Sequence, residues 1–141
     1  MIFDEAFYRK MATQKWRQQD YKKAAEYYEK VLELSPKDFD IQQHYAQCLV
    51  KLNIGKKAER LFYENIVKDF HVAESFYELS QLNIELNEPN KAFLFGINYV
   101  ILSEDKDFRE MLEKTFEVAY TNEQKIELEA QLFSTQLLFQ F

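Results

Sequence analysis

Two histidines and a single cysteine are the side chains of this 141-residue sequence best suited to metal binding or to nucleophilic chemistry. His44 and Cys48 lie four residues apart, which places them on one face of a helix. Two ligands fall short of the three or four that a zinc site uses, and His71 lies in a different part of the sequence. We therefore interpret Cys48 as a partly buried, inert thiol and His44 as a histidine that is hydrogen-bonded or faces a groove, and we expect no metal site.

The sequence also lacks the common catalytic and phosphate-binding patterns. No HExxH, GxSxG, GxGxxG or GxxxxGK[ST] spacing occurs. The acidic stretch SEDKDFRE at 103–110 has neither the glycine nor the distal glutamate of a calcium loop, so capping of a helix start explains it more simply. Aromatic residues at helical spacing, drawn from 13 Phe and 9 Tyr, are typical of a core rather than of a cofactor pocket. We expect a protein that is not an enzyme and needs no cofactor.

Composition and charge narrow the class of protein further. Hydrophobic residues make up 47% of the chain, which favours folding over disorder, while only 2 Gly and 2 Pro leave few turn-formers for a many-stranded sheet. The formal net charge of -6 has the wrong sign for nucleic acid or an anionic membrane. The start MIFDEAFYRK does not read as a signal peptide, and the apolar run FLFGINYVIL at 93–102 is too short to cross a bilayer. With one cysteine, these features predict a cytoplasmic protein.

The elements that position these side chains recur at a fixed interval along the sequence. Ala24, Ala58 and Ala92 are equally spaced, and a lysine precedes each of them. The same interval relates Ala12 to Ala46 to Ser80, Tyr27 to Leu61 to Phe95, and Tyr28 to Phe62. Within each unit the apolar residues recur at steps of three and four, which predicts helices at 4–17, 21–34, 39–52, 56–69, 73–86 and 90–103. The turns QQD, NIG and NEP are short, so paired helices must be antiparallel. We expect Gly55 to take the left-handed conformation that ends a helix and Pro89 to lie in a first turn.

An interval of about 34 residues with two helices per unit resembles the tetratricopeptide repeat family. The first unit carries the resemblance best, through Ala12, Asp20, Tyr21, Ala24, Tyr28 and Pro36. The second unit has Phe70 in place of the proline, and the third has Gly96 in the aromatic column. The resemblance implies an all-α fold, a right-handed superhelix of antiparallel helical hairpins of the α-solenoid type. It also implies a single domain over 1–141, with repeats at about 5–38, 39–72 and 73–106 and a divergent fourth hairpin at 107–141.

Two parts of the sequence depart from the repeat. Gly96 leaves a gap, so we expect the third hairpin to be looser there or to be filled by Phe93, Phe95 or Tyr99. After residue 106, Thr121 and Gln124 have the spacing of a capping box that opens a long apolar helix. Its last residues predict self-association, or packing in a longer array, because they exceed what one neighbouring helix covers. The residues predicted for this contact are Leu137, Leu138 and Phe141.

The resemblance also implies a function. The first helices of such hairpins line a concave groove that binds a peptide or a helical segment of a partner protein. The groove residues predicted in this way are Arg9, Thr13, Trp16, Arg17, Gln43, Gln47, Lys51, Tyr77, Gln81 and Glu85. The clamp that grips acidic chaperone tails is not predicted, since Glu74 and Glu78 would repel a carboxylate at the matching positions.

The cations lie towards the first unit and the acids towards the third, so we expect the acidic part of the partner near Arg9 and Arg17. We thus predict a non-catalytic adaptor with a protein partner and without nucleic acid or membrane. The alternatives are a segment of a larger or homodimeric scaffold that associates through the C-terminal helix, and a small chaperone built on the same repeat.

Overall fold

The computed structural model describes residues 4–117, which form seven α-helices joined by turns, with no strand in this range. The helices are α1 (Glu5–Arg17), α2 (Tyr21–Leu34), α3 (Phe39–Lys51), α4 (Gly55–Val67), α5 (Val72–Glu85), α6 (Pro89–Ser103) and α7 (Lys106–Glu117). The prediction of an all-α chain is confirmed, and the six predicted spans agree with α1 to α6 to within two residues at each end. Between residues 4 and 117, no helix combines the length and the apolar character that crossing a bilayer requires.

Aspartate side chains begin four of these helices. The backbone N–H of Phe7 donates to Asp4 at 2.9 Å, that of Lys23 to Asp20 at 3.2 Å, and that of Ile41 to Asp38 at 3.1 Å. Asp105 accepts in the same way from the N–H of Phe108, near the start of α7, at 3.0 Å. Each carboxylate satisfies an N–H group that has no partner inside its helix. Pro89 occupies the first turn of α6, as predicted.

The turns inside the hairpins have the same backbone geometry in each repeat. Gln19, Asn53 and Asn87 adopt the left-handed conformation, with φ of 60°, 62° and 58°. In each case the N–H of this residue donates to the carbonyl three residues back, at 2.9 to 3.1 Å, and the next N–H donates to the carbonyl five residues back, at 2.8 to 2.9 Å. This is the Schellman motif, which ends a helix and reverses the chain. The prediction for Gly55 is wrong, because Asn53 supplies the left-handed residue and Gly55 already begins α4.

The chain divides into two compact units, one ending at Asn65 and the other beginning at Ile66, within α4. In the first unit α1 packs on α2 and α2 packs on α3; in the second, α5 packs on α6 and α6 packs on α7. The single domain over 1–141 therefore stays a prediction. The self-association residues Leu137, Leu138 and Phe141 and the capping box at Thr121 lie outside the described residues.

Small residues lie where the two helices of a hairpin meet. Ala12, Ala24, Ala46 and Ala58 in the first unit are fully buried. In the second unit Ser80 and Ala92 are fully buried too, and the Ser80 hydroxyl donates to the Ala92 carbonyl at 2.8 Å. Side chains of this size allow close approach of the helix axes. The three alanines that mark the repeat, at 24, 58 and 92, thus occupy equivalent places.

Gly96 is also buried, and its neighbour is a residue of α7. A Cβ at this position would lie 2.7 Å from Leu112 Cδ1 and 3.0 Å from Ser80 Oγ. Leu112 itself is buried in a cluster with Ala92, Phe93 and Phe108. The space that the glycine leaves is therefore filled by Leu112, and the prediction of Phe93, Phe95 or Tyr99 named the wrong side chains.

Candidate functional site

A mixed aromatic and polar surface covers one side of the first unit. We call it the α1–α3 face. It consists of Thr13, Trp16 and Arg17 from α1 and His44, Gln47 and Lys51 from α3. All six side chains are exposed or half-buried. The ring centroids of Trp16 and His44 are 6.4 Å apart, so the two helices contribute to one continuous surface.

Trp16 is held by rings on two sides. Its ring meets the edge of Tyr21, from the start of α2, at a centroid distance of 5.2 Å and an angle of 73°. On the other side it meets His44, which stacks on the buried Tyr28 at 6.0 Å and 15°. Edge-to-face and offset stacked contacts of this kind fix ring orientation. Trp16 is therefore a half-buried ring with a defined position rather than a freely rotating side chain.

Two cations lie at the same end of the α1–α3 face. Arg17 is in the last turn of α1, and Lys51, its counterpart in the next repeat, is in the last turn of α3. Both side chains are exposed, and Lys51 Nζ lies 6.0 Å from the centroid of the Tyr21 ring. A lysine over a tyrosine face is attracted by the ring quadrupole. Sequence reasoning missed Tyr21 as part of this surface, although the tight turn after Trp16 brings the start of α2 beside it.

Arg9 differs from Arg17 and Lys51 because its guanidinium is bound to carboxylates of the protein itself. Its guanidinium donates to Glu5 at 2.6 and 3.0 Å and also to Asp38, and Ser35 donates to Glu5 at 2.9 Å. The hydrogen bonds from Arg9 and then Ser35 lower the pKa of Glu5. Burial by itself would raise the pKa of Asp38, but the bonds from Arg9 and from the Ile41 N–H outweigh it and lower the pKa. Arg9 therefore joins α1 to the loop before α3.

Two further predicted groove residues, Gln43 and Thr13, use their side chains in hydrogen bonds within the protein. Gln43 is buried, and its Oε1 accepts from Asn65 Nδ2 at 2.8 Å. Asn65 also donates to the Phe39 carbonyl at 3.1 Å and accepts from Gln42 Nε2 at 3.0 Å, so these amides form a buried network that joins α3 to α4. Gln43 is thus part of the interior and not of the surface. Thr13 is exposed, but its hydroxyl donates to the Arg9 carbonyl at 3.0 Å.

The second unit carries a surface of its own, which we call the α5 face. It consists of Tyr77, Gln81 and Glu85, spaced four residues apart on α5. Tyr77 is 37% exposed and packs on Tyr99 at 5.1 Å and on Phe108 at 5.4 Å between ring centroids. Gln81 is half-buried and Glu85 is exposed.

A hydrogen bond fixes the ring cluster beneath Tyr77. The Tyr99 hydroxyl donates to Asp105 at 2.8 Å, which raises the pKa of Tyr99. The N–H of Phe108 and then this hydroxyl lower the pKa of Asp105. Tyr77 therefore packs on a Tyr99 ring that this hydrogen bond holds in place.

Cys48 and His44, the two candidate chemical groups identified in the sequence, differ in their exposure to solvent. Cys48 is fully buried, and burial raises the pKa of its thiol to about 12, so it is not a nucleophile at neutral pH. His44 is exposed and is engaged with aromatic rings. The arrangement presents rings, amides and cations, which is suited to binding a polypeptide.

Comparison with known proteins identifies the fold and one repeat within it. Residues 15–62, from the end of α1 into α4, match the tetratricopeptide repeat. The crystal structure of MamA protein is similar with a TM-score of 0.72 and 19% sequence identity, over 96% of this chain and 75% of that chain. No curated protein sequence matches the chain. The match places a tetratricopeptide repeat at residues 15–62, and the structural similarity shows that the chain has the same all-α fold. Such repeats are typically scaffolds for interaction with other proteins.

Proposed function

We propose that the chain is a non-catalytic adaptor that binds a peptide or helical segment of a partner protein on the α1–α3 face. The observation that carries this proposal is the half-buried Trp16 ring, held between Tyr21 and His44. Tryptophan and tyrosine provide a large share of the binding energy at protein interfaces. A ring that is already fixed loses little conformational freedom on binding, so more of its contact energy contributes to affinity.

Polar groups around Trp16 suit a polypeptide ligand. Gln47 offers an amide that can both donate to and accept from a peptide backbone, and Arg17 and Lys51 offer charged donors. The α1–α3 face thus combines an apolar contact, Trp16, with several polar groups. This combination is typical of sites that hold a segment in a defined orientation.

We propose the α5 face as a further contact surface. Tyr77 supplies an aromatic contact on a fixed base, and Gln81 and Glu85 supply an amide and a carboxylate on the same side of α5. This face is acidic where the α1–α3 face is basic, so its ligand groups differ in charge. Glu74 and Glu78, also on α5, would repel an acidic tail, which supports a ligand other than the chaperone tails.

The test is capture of partners from a cell lysate by the wild type, by Trp16→Ala, by Tyr77→Ala and by the double variant. We expect Trp16→Ala to lose most of the captured partner and the double variant to lose all of it. The matched control is Tyr27→Ala, which removes a half-buried ring that packs on Phe7 and Tyr8 of the first unit. Circular dichroism verifies that each variant is folded. Equal capture by the wild type and the folded double variant would refute the proposal.

The oligomeric state of the protein distinguishes the adaptor role from the alternative of a self-associating scaffold. A self-associating scaffold requires Leu137, Leu138 and Phe141, so sedimentation of the wild type and of Leu138→Glu distinguishes it: a dimer that Leu138→Glu dissociates favours the scaffold. A small chaperone of the same repeat would instead bind one dedicated client. With the adaptor role we propose a cytoplasmic location, which the single, fully buried thiol supports.

A further inference from the structure

The cations of the first unit are not equivalent, and the difference concerns the ligand of the α1–α3 face. Arg9 already binds two carboxylates, Glu5 and Asp38. Among residues 4–117, no carboxylate lies within ion-pair distance of Arg17 or Lys51. The acid nearest to Arg17 in sequence, Asp20, accepts from the Lys23 N–H at the start of α2. Two positive charges without a carboxylate partner in this range therefore lie in the last turns of α1 and α3, at the same end of the α1–α3 face.

Arg9 is less suited than Arg17 and Lys51 to a ligand carboxylate. Its Nε and Nη2 donate to Glu5 and Asp38, so an incoming acid meets two negative charges on the same guanidinium. Asp38 also accepts from the Ile41 N–H at the start of α3, and Glu5 accepts from Ser35, so both carboxylates are held in place beside Arg9.

Helix ends alone do not explain the second pair of cations. A basic residue in the last turn of a helix is stabilised by the helix dipole, and both Arg17 and Lys51 occupy such a turn. However, the ring contacts of Trp16 and the position of Lys51 over Tyr21 place the Lys51 charge on an aromatic surface. Charge and apolar contact are thus offered side by side, which helix stability does not require.

We infer that the segment bound by the α1–α3 face carries an acidic side chain close to an aromatic or aliphatic one. The apolar side chain packs on Trp16 and His44, and the acid pairs with Arg17 and Lys51. This inference rests on the proposed function and adds the chemistry of the ligand. It also replaces the expectation from sequence that Arg9 receives the acid.

The experiment is selection from a displayed library of random nonapeptides with blocked ends, so that no terminal carboxylate takes part. We expect the wild type to enrich an Asp or Glu within three positions of a Phe, Tyr, Leu or Ile. Binding of a selected peptide is then measured through the fluorescence of Trp16, the single tryptophan of the chain. Arg17→Glu with Lys51→Glu should weaken this peptide at least tenfold and should enrich basic residues when the selection is repeated.

A second pair of substitutions provides the control for net charge. Lys23→Glu with Lys56→Glu changes the net charge equally, at two exposed lysines outside the α1–α3 face. This variant should bind the selected peptide like the wild type. A loss as large as that of the Arg17 and Lys51 variant would overturn the inference, because it would assign the effect to net charge.

Other results would overturn the inference while leaving the proposed function intact. These are enrichment of basic or uncharged peptides, no enrichment at all, and unchanged binding by the Arg17 and Lys51 variant. Tighter binding of a single-stranded oligothymidylate than of the selected peptide would also overturn it, because phosphate would then be the preferred anion. Capture from the lysate judges the proposed function separately, because it depends on Trp16 and not on the charge of the ligand.

Discussion

Leu112 of α7 fills the space above Gly96 of α6, with its Cδ1 2.7 Å from where a Cβ of residue 96 would lie. Both positions have counterparts two repeats earlier, Tyr28 and His44, and these two rings stack on each other at 6.0 Å. The contact between the two helices is therefore kept with different side chains. In the first unit both helices supply a ring, and in the second unit the glycine of α6 leaves the space to Leu112 of α7.

This relationship predicts coupling between residues 96 and 112. Alanine in place of glycine normally adds about 1 kcal/mol of stability inside a helix. Gly96→Ala should not show this gain, because the new Cβ forces Leu112 out of its packed position. In a Leu112→Ala background the same substitution should become less unfavourable, with any gain held below about 1 kcal/mol because Ser80 Oγ still lies 3.0 Å from the new Cβ, although Leu112→Ala alone costs about 2 to 5 kcal/mol. Urea unfolding of the four proteins gives the coupling energy, and additive effects would contradict the prediction.

The left-handed turn residues predict a stabilising substitution. Gln19 has a φ of 60°, which is unfavourable for a residue with a side chain. Gln19→Gly should raise the free energy of unfolding by about 0.5 to 1 kcal/mol, and Asn53→Gly by less, because asparagine tolerates this conformation. The control is Gln18→Gly, where φ is -80° and glycine should lower stability. A loss of stability in Gln19→Gly would mean that the turn does not adopt this geometry in solution.

A buried amide in the second unit predicts another gain in stability. Asn83 is fully buried, and its Nδ2 donates to the Leu79 carbonyl at 2.7 Å. Its Oδ1 has no hydrogen-bond partner among the described residues. Leu49, its counterpart one repeat earlier, occupies the equivalent place as a buried apolar residue. Asn83→Leu should therefore raise the free energy of unfolding by about 1 to 2 kcal/mol, because an unsatisfied buried carbonyl is removed.

Asn83→Ala serves as the control for Asn83→Leu in the same denaturation series. It removes the same carbonyl but fills less space, so it should gain less than leucine does. A leucine variant no more stable than the wild type would show that the carbonyl is satisfied in solution.

The Arg9 cluster predicts a dependence of stability on pH. The pKa values of Glu5 and Asp38 lie below their ordinary values of 4.5 and 3.8, so their stabilising effect is present above these values and is lost as the pH falls through the folded-state pKa values. Arg9→Gln should be less stable than the wild type by a constant amount above about pH 6. This difference should shrink as the pH falls from about 5 to 2. A difference that does not change with pH would show that Arg9 acts through packing alone.

The repeat made most of the fold predictable from sequence. Buried small residues must recur in register for helices to pair closely, so the spacing of Ala24, Ala58 and Ala92 is enough to locate the helices. Which turn residue takes the left-handed backbone conformation was harder to predict from sequence. Gly55 is the residue best suited to a left-handed turn, yet the lengths of the two helices place Asn53 at that position.

Surface assignments are harder to make from sequence where a distant residue decides which way a side chain turns or what it binds. A polar residue at a given helical position faces outwards unless another helix provides a partner. Gln43 turns inwards because Asn65 of α4 binds it, and Arg9 is occupied because Asp38 lies at the start of α3. Neither partner is close in sequence. The sequence predicted Trp16 as a groove residue, but its ring neighbours depend on the turn that brings Tyr21 beside it.

The three equivalent hairpin turns also allow a whole repeat to be deleted or duplicated between them. A cut after Asn53 and a cut after Asn87 fall at the same left-handed conformation and at the same pair of backbone hydrogen bonds. Removing residues 54–87 would join Asn53 to Glu88 with the local backbone conformation at the junction unchanged, and a second copy of that segment could be inserted in the same way. Lengthening or shortening of this protein by recombination would therefore demand no new loop, only side chains that fit the neighbours they acquire.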